Sequence, residues 1–98
     1  MLKVIYSDSA KLEVENILRY IKRFSIERAK GFVKGLKVRV EELPKSPYIG
    51  KSVEEEYGVP NTRLVYYKTY KIFYTVVEEV KTIQIERVIH ETQNFPVK

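Results

Sequence analysis

Apolar residues recur along this chain with two different periods, and the change of period divides it into a helical and a stranded part. Leu2–Tyr6 has the alternating, β-branched content of a short strand. Ser7, Asp8 and Ser9 follow as N-cap candidates, because their side-chain oxygens can accept from the free N–H groups of a helix start. From there Ala10, Val14, Ile17, Leu18, Ile21 and Phe24 form one helical stripe, with Lys11, Glu15, Arg19, Lys22 and Arg23 on the opposite face. Ser25 caps a second helix whose stripe is Ala29, Phe32, Val33, Leu36, Val40 and Leu43, and Pro44 ends it for want of a backbone donor. Gly31 and Gly35 sit inside this helix. Each costs about 1 kcal/mol relative to alanine, which close approach of a neighbouring element would offset.

Residues 44–61 hold Pro44, Pro47, Pro60, Gly50 and Gly58 and read as the main loop, with Glu54-Glu55-Glu56 as its acidic cluster. Beyond it the period becomes two. Thr62–Tyr67, Tyr70–Val77 and Thr82–His90 read as strands, joined through Lys68-Thr69 and Glu78-Glu79. Strict alternation puts Ile83, Ile85, Arg87 and Ile89 on one face of the last strand, and Thr82, Gln84, Glu86 and Val88 on the other. The expected fold is α+β: an N-terminal strand, then a helical hairpin packed on one face of a mainly antiparallel four-stranded sheet, in the order β-α-α-β-β-β. The first strand is expected to enter the sheet beside a later one, since alone its backbone groups would lack partners.

Length and composition narrow the class. The 98 residues, 44% hydrophobic and 32% charged, fit one domain spanning 1–98 with one modest core. No apolar run approaches the roughly 18 residues of a membrane span, and the N-terminal segment is too short for a signal peptide. With no cysteine there is neither a disulfide framework nor a thiolate metal site, and a cytoplasmic protein without cofactor is expected. One histidine and scattered carboxylates lack metal-ligand spacing. The net charge of +5 lies entirely in the first half: residues 1–50 carry 11 Lys/Arg against 6 Asp/Glu, and residues 51–98 carry 7 against 7. A basic helical hairpin favours nucleic acid, a ribosome surface or an acidic protein.

Arg63, Arg87 and His90 fall at the ends of predicted strands, where cationic and titratable groups can meet a phosphate or an acidic partner. Each also has a structural alternative. Arg63 can pair with Glu54, Glu55 or Glu56; the Arg87 stem can pack beside Ile85 and Ile89; and His90 can bond across the sheet end.

The chain resembles the RelE/ParE superfamily of bacterial and archaeal toxins from type II toxin–antitoxin systems, the ParE-like branch more closely. The resemblance covers nearly the whole chain. It rests on Ile17-Leu18-x-Tyr20-Ile21, Leu43-Pro44-x-x-Pro47, Gly50-Lys51, Arg63, Ile72-x-Tyr74 and Ile85-x-Arg87-Val88-Ile89-His90 in that order. Many relatives carry a basic residue two or three places after the histidine, where this chain has Thr92 and Gln93. The resemblance implies a growth inhibitor neutralised by a cognate antitoxin, in a toxin–antitoxin hetero-oligomer. The target it implies is DNA gyrase, poisoned by binding, or the ribosome and its mRNA, cut by an endonuclease. A third alternative is a degenerate toxin kept as a repression partner. For cleavage, Arg63 and Arg87 would hold the phosphate if their strands lie side by side, and His90 would move the proton. Lys51, Tyr66 and Tyr67 would stabilise charge and stack bases. For the antitoxin, Lys22, Arg23, Lys34 and Lys37 would draw an acidic segment towards an exposed apolar groove of roughly a few hundred Å².

Overall fold

The computed structural model describes residues 2–95. Its elements are β1 (Lys3–Tyr6), α1 (Asp8–Lys22), α2 (Ile26–Glu41), β2 (Lys51–Ser52), α3 (Glu54–Tyr57), β3 (Thr62–Tyr67), β4 (Tyr70–Val77), a 3-10 turn (Glu78–Val80) and β5 (Thr82–His90). Both helix starts follow from their serines. The Ser7 side chain accepts from the Ala10 N–H at 3.0 Å, and the Ser25 side chain from that of Arg28 at 3.1 Å. α2 ends ahead of Pro44, and Leu43 packs into the core fully buried.

The sheet has five strands in the order β1-β5-β4-β3-β2, not four. The additional strand, β2, is two exposed residues pairing antiparallel with β3 through Lys51–Leu64 and Ser52–Arg63. A strand that short has no period to read, so its pairing is invisible before the chain folds. β1 enters parallel to β5, and the β3–β4–β5 meander is antiparallel.

The α1–α2 hairpin covers one sheet face. Ala10, Phe32, Leu36, Val40 and Leu43 pack there against Val65, Ile72, Tyr74, Ile83, Ile85 and Val88. A smaller cluster of Val53, Leu64, Phe73 and Ile89, with Tyr57 and Phe95 against it, fills the opposite face. β5 departs from strict alternation. Phe73 pairs with Arg87 but Tyr74 with Ile85, so Glu86 is the extra residue of a bulge. The bulge puts Val88 with Ile83 and Ile85 under the hairpin, and sends Arg87 and Ile89 to the Phe73 side. The expected grouping of Arg87 with Ile83 and Ile85 is therefore overturned by one residue.

The two helix glycines differ in purpose. A Cβ on Gly35 would lie 2.1 Å from the Tyr67 hydroxyl, which donates to the Phe32 carbonyl at 3.0 Å. This close approach is what lets β3 dock on α2. A Cβ on Gly31 meets nothing within 4 Å.

Candidate functional site

The residues expected at one phosphate site are held in three separate places. β3 and β5 do not neighbour each other, because β4 runs between them. Arg63 pairs in register with Tyr74 on the hairpin side, whereas Arg87 pairs with Phe73 on the other side. His90 pairs with Tyr70, four residues along β4 from the partner of Arg63, or about 13 Å at ~3.3 Å per residue.

Each of the three is engaged locally. The Arg63 guanidinium donates to the Gly50 carbonyl at 2.7 Å and the Tyr48 carbonyl at 3.3 Å, and lies 5.2 Å from the Tyr48 ring centre. It pins the loop after α2 to the sheet and pairs with none of Glu54, Glu55 and Glu56. Tyr74 works beside it: its hydroxyl donates to the Pro47 carbonyl at 2.9 Å and accepts from the Gly50 N–H at 2.9 Å. Burial pushes the Tyr74 hydroxyl up in pKa, against the opposing pull of the Gly50 N–H and of the Arg63 and Arg39 charges. The Tyr48 hydroxyl donates to Glu78, and that carboxylate holds it above its ordinary value.

Arg87 pairs with Glu13 of α1, its Nε donating at 2.6 Å. The same carboxylate accepts from the Val88 N–H at 2.8 Å. β1 accompanies β5 only as far as Ile85, where the chain turns into α1 and the Ser7 hydroxyl donates to the Glu86 carbonyl at 2.7 Å. Glu13 thus takes over where β1 leaves β5. No signal in the sequence marks it, since it lies 74 positions from Arg87. His90 is partly exposed, with Nδ1 2.8 Å from the Thr92 hydroxyl and its ring edge-on to Tyr70.

The reserve candidates also separate. Tyr67 is the helix–sheet anchor already described, and burial raises its pKa. Tyr66 is exposed on the face away from the hairpin, where Lys51 is also exposed and stands 4.0 Å from Glu56. Among the described residues no group of three or more His, Cys, Asp or Glu is placed to hold a metal ion. No helix among them is long and apolar enough to cross a membrane.

The helical hairpin offers open surface instead. A groove of about 660 Å³ runs between α1 and α2, walled by Leu18, Ile26 and Val33 and rimmed by Lys22, Lys34 and Lys37. Three of the four cations expected to meet an acidic partner therefore border one aliphatic groove, and Arg23, the C-cap residue of α1, is not among its lining residues. A second cleft of about 710 Å³ opens at the hairpin tip, between Tyr20, Phe24, Arg28, Gly31 and Phe32 on one side and Lys68 of the β3–β4 turn on the other.

The strand order, the hairpin on one face and the single parallel pairing of β1 can be compared with known proteins. The model of the ParE toxin of type II toxin–antitoxin systems, parDE, matches residues 4–95. The chain belongs to the ParE toxin family. Solved structures share its fold. The chromosomal ParDE system of P. aeruginosa matches with a TM-score of 0.73 at 22% identity, over 92% of this chain and 96% of that one. The intact RelBE toxin–antitoxin complex of E. coli matches with a TM-score of 0.62 at 17% identity, over 92% and 96%. The isolated RelE toxin of E. coli matches with a TM-score of 0.63 at 16% identity, over 96% and 88%. No curated protein matches by sequence. The groove between α1 and α2 and the tip cleft are open surfaces of this chain, whereas Arg63 is engaged by loop carbonyls and Arg87 by Glu13.

Proposed function

We propose that this ParE-family toxin, with residues 1–98 as one toxin domain, inhibits growth by binding DNA gyrase and is restrained by a cognate antitoxin. The observation that carries a binding mechanism is the dispersal of Arg63, Arg87 and His90. Cleaving RNA requires phosphate stabilisation and proton transfer at a single point. Here one arginine holds loop carbonyls, the other holds Glu13, and the histidine rests on Thr92. A poison that stabilises a target's cleaved state needs a surface and no reacting group of its own.

The groove between α1 and α2 supports the antitoxin part. Its walls are aliphatic and its rim is lysine, which suits an amphipathic acidic helix laying its apolar face between the two helices. The solved neighbours include the intact toxin–antitoxin complex of E. coli. Opposite charge would set the approach, and aliphatic burial would hold the complex.

Pulse-labelling of DNA and protein synthesis after induction tests the target. DNA synthesis stopping first, with DNA damage signalling, is the expected result. Protein synthesis stopping first would overturn the gyrase reading in favour of a ribosome-dependent endonuclease. Growth that continues while antitoxin still binds would identify a toxin that has lost its activity and kept its partner.

A further inference from the structure

The two openings on the hairpin differ in chemistry. Both are bordered by cations, but the walls of the groove between the helices are aliphatic and those of the tip cleft are aromatic. Tyr20 and Phe24 are 58% and 68% exposed, an unusual degree for rings of that size, and stand edge to face with centres 5.2 Å apart. Arg28 and Lys68 flank them, and no carboxylate lines the cleft. Neither cation takes part in any of the three ion pairs among the described residues.

Gly31 forms part of the floor. Neither packing nor backbone conformation calls for glycine there: its Cβ would meet nothing within 4 Å, and it is not at positive φ. What the missing side chain does is leave the space beside Phe24 and Phe32 open. The cleft's volume of about 710 Å³ lies within the ~300–1,000 Å³ range of ligand sites.

We infer that this cleft binds an unpaired nucleotide of a single-stranded nucleic acid, its base against Tyr20 and Phe24 and its phosphate between Arg28 and Lys68. Exposed aromatic faces accept any base by stacking, and a guanidinium fork with a nearby ammonium suits a phosphate. An aliphatic peptide face would find its match in the neighbouring groove and not here. A duplex keeps its bases stacked on one another and cannot offer them to these rings. The inference stands independently of whether gyrase or the ribosome is the target.

The test is fluorescence anisotropy of the 98-residue chain with an end-labelled 12-nucleotide strand of deoxythymidine, which has no 2′-hydroxyl and so resists self-cleavage. A DNA duplex of the same length is the comparator. The single strand should bind at least about tenfold more tightly than the duplex. Phe24→Ala should weaken it by about 5- to 150-fold, the range for loss of one stacked base. Gly31→Leu fills the floor without changing charge and should weaken it comparably, while its thermal melt stays at or above that of the parent because leucine is the better helix former. If Gly31→Leu does not fold, Phe24→Ala decides, since that ring is largely solvent-exposed. Arg28→Gln with Lys68→Gln should flatten the salt dependence of binding. Binding that survives both Gly31→Leu and Phe24→Ala, or that is equal for duplex and single strand, is the general attraction of a basic protein and overturns the proposal. An acidic peptide with aromatic residues that occupies the cleft when the oligonucleotide does not would overturn it in favour of a protein partner.

Discussion

Gly31 and Gly35 sit one helical turn apart on α2, yet alanine should act in opposite directions at the two positions. At Gly31 the new methyl enters open space, and the helix gains up to about 1 kcal/mol. At Gly35 it collides with the Tyr67 hydroxyl, displacing a ring packed edge-on to Phe32, and the net loss should be about 1–2 kcal/mol. Urea midpoints of the two variants check this, and Tyr67→Phe should recover part of the Gly35→Ala loss because it removes the nearest atom. A similar asymmetry applies to the Glu13–Arg87 pair. Glu13→Ala strands both a part-buried guanidinium and the Val88 N–H, whereas Arg87→Ala leaves the carboxylate its backbone donor. The expected costs are roughly 2–3 kcal/mol for Glu13→Ala and about 1 kcal/mol for Arg87→Ala, discounted from fully buried values because both side chains keep some exposure. Equal losses would mean that the Val88 bond contributes little. None of these distinctions is legible one residue at a time: two glycines look alike in sequence, and nothing near Arg87 announces Glu13.

Helices and strands are where the sequence speaks most directly. Ser7 and Ser25 cap as their side chains require, both helical stripes face the sheet except at Phe24 and Val33, which stay exposed, and the three C-terminal strands form where the period is two. The misses are also physical. β2 is too short to carry a period, α3 lies in a stretch whose three glutamates give no apolar stripe, and the Glu86 bulge shifts the face of every later residue in β5. The basic character of the hairpin resolves at this scale into a lysine rim around the groove between α1 and α2. Lys22→Glu, Lys34→Glu and Lys37→Glu together should slow association with an acidic antitoxin segment by about tenfold or more at low salt, and by much less at high salt. Adding Arg23→Glu should change the rate less than any of the three, because Arg23 is not among the groove's lining residues. Stopped-flow association across a salt series reads both effects; rates that ignore charge and salt would leave the rim as a merely solvated face.

At the scale of the molecule, burial of four tyrosines makes the fold sensitive to alkaline pH. Tyr6, Tyr67, Tyr70 and Tyr74 have folded pKa values raised above 10.0, in each case chiefly by burial. The folded state therefore holds these protons more tightly than the unfolded chain does. Their stabilising contribution is fully present below pH 10 and is lost as pH rises through the folded values, so stability should fall above about pH 10. Thermal melts from pH 8 to 11.5 should show the decline, and Tyr74→Phe should make it shallower while lowering the melting temperature at pH 8 through loss of the Pro47 and Gly50 bonds. A melting temperature flat across that range would show that these hydroxyls titrate alike in both states. The sequence by itself determined the α+β class, the helical hairpin, the main strands and the family, because these depend on local periods, caps and an ordered set of motifs. Tertiary structure alone decided which groups Arg63, Arg87 and His90 touch. Those contacts depend on strand order, on a one-residue bulge and on a carboxylate from a distant helix, and each of these exists only once remote segments have paired. The same holds for the tip cleft, whose walls come from α1, α2 and the β3–β4 turn and meet only in the folded chain.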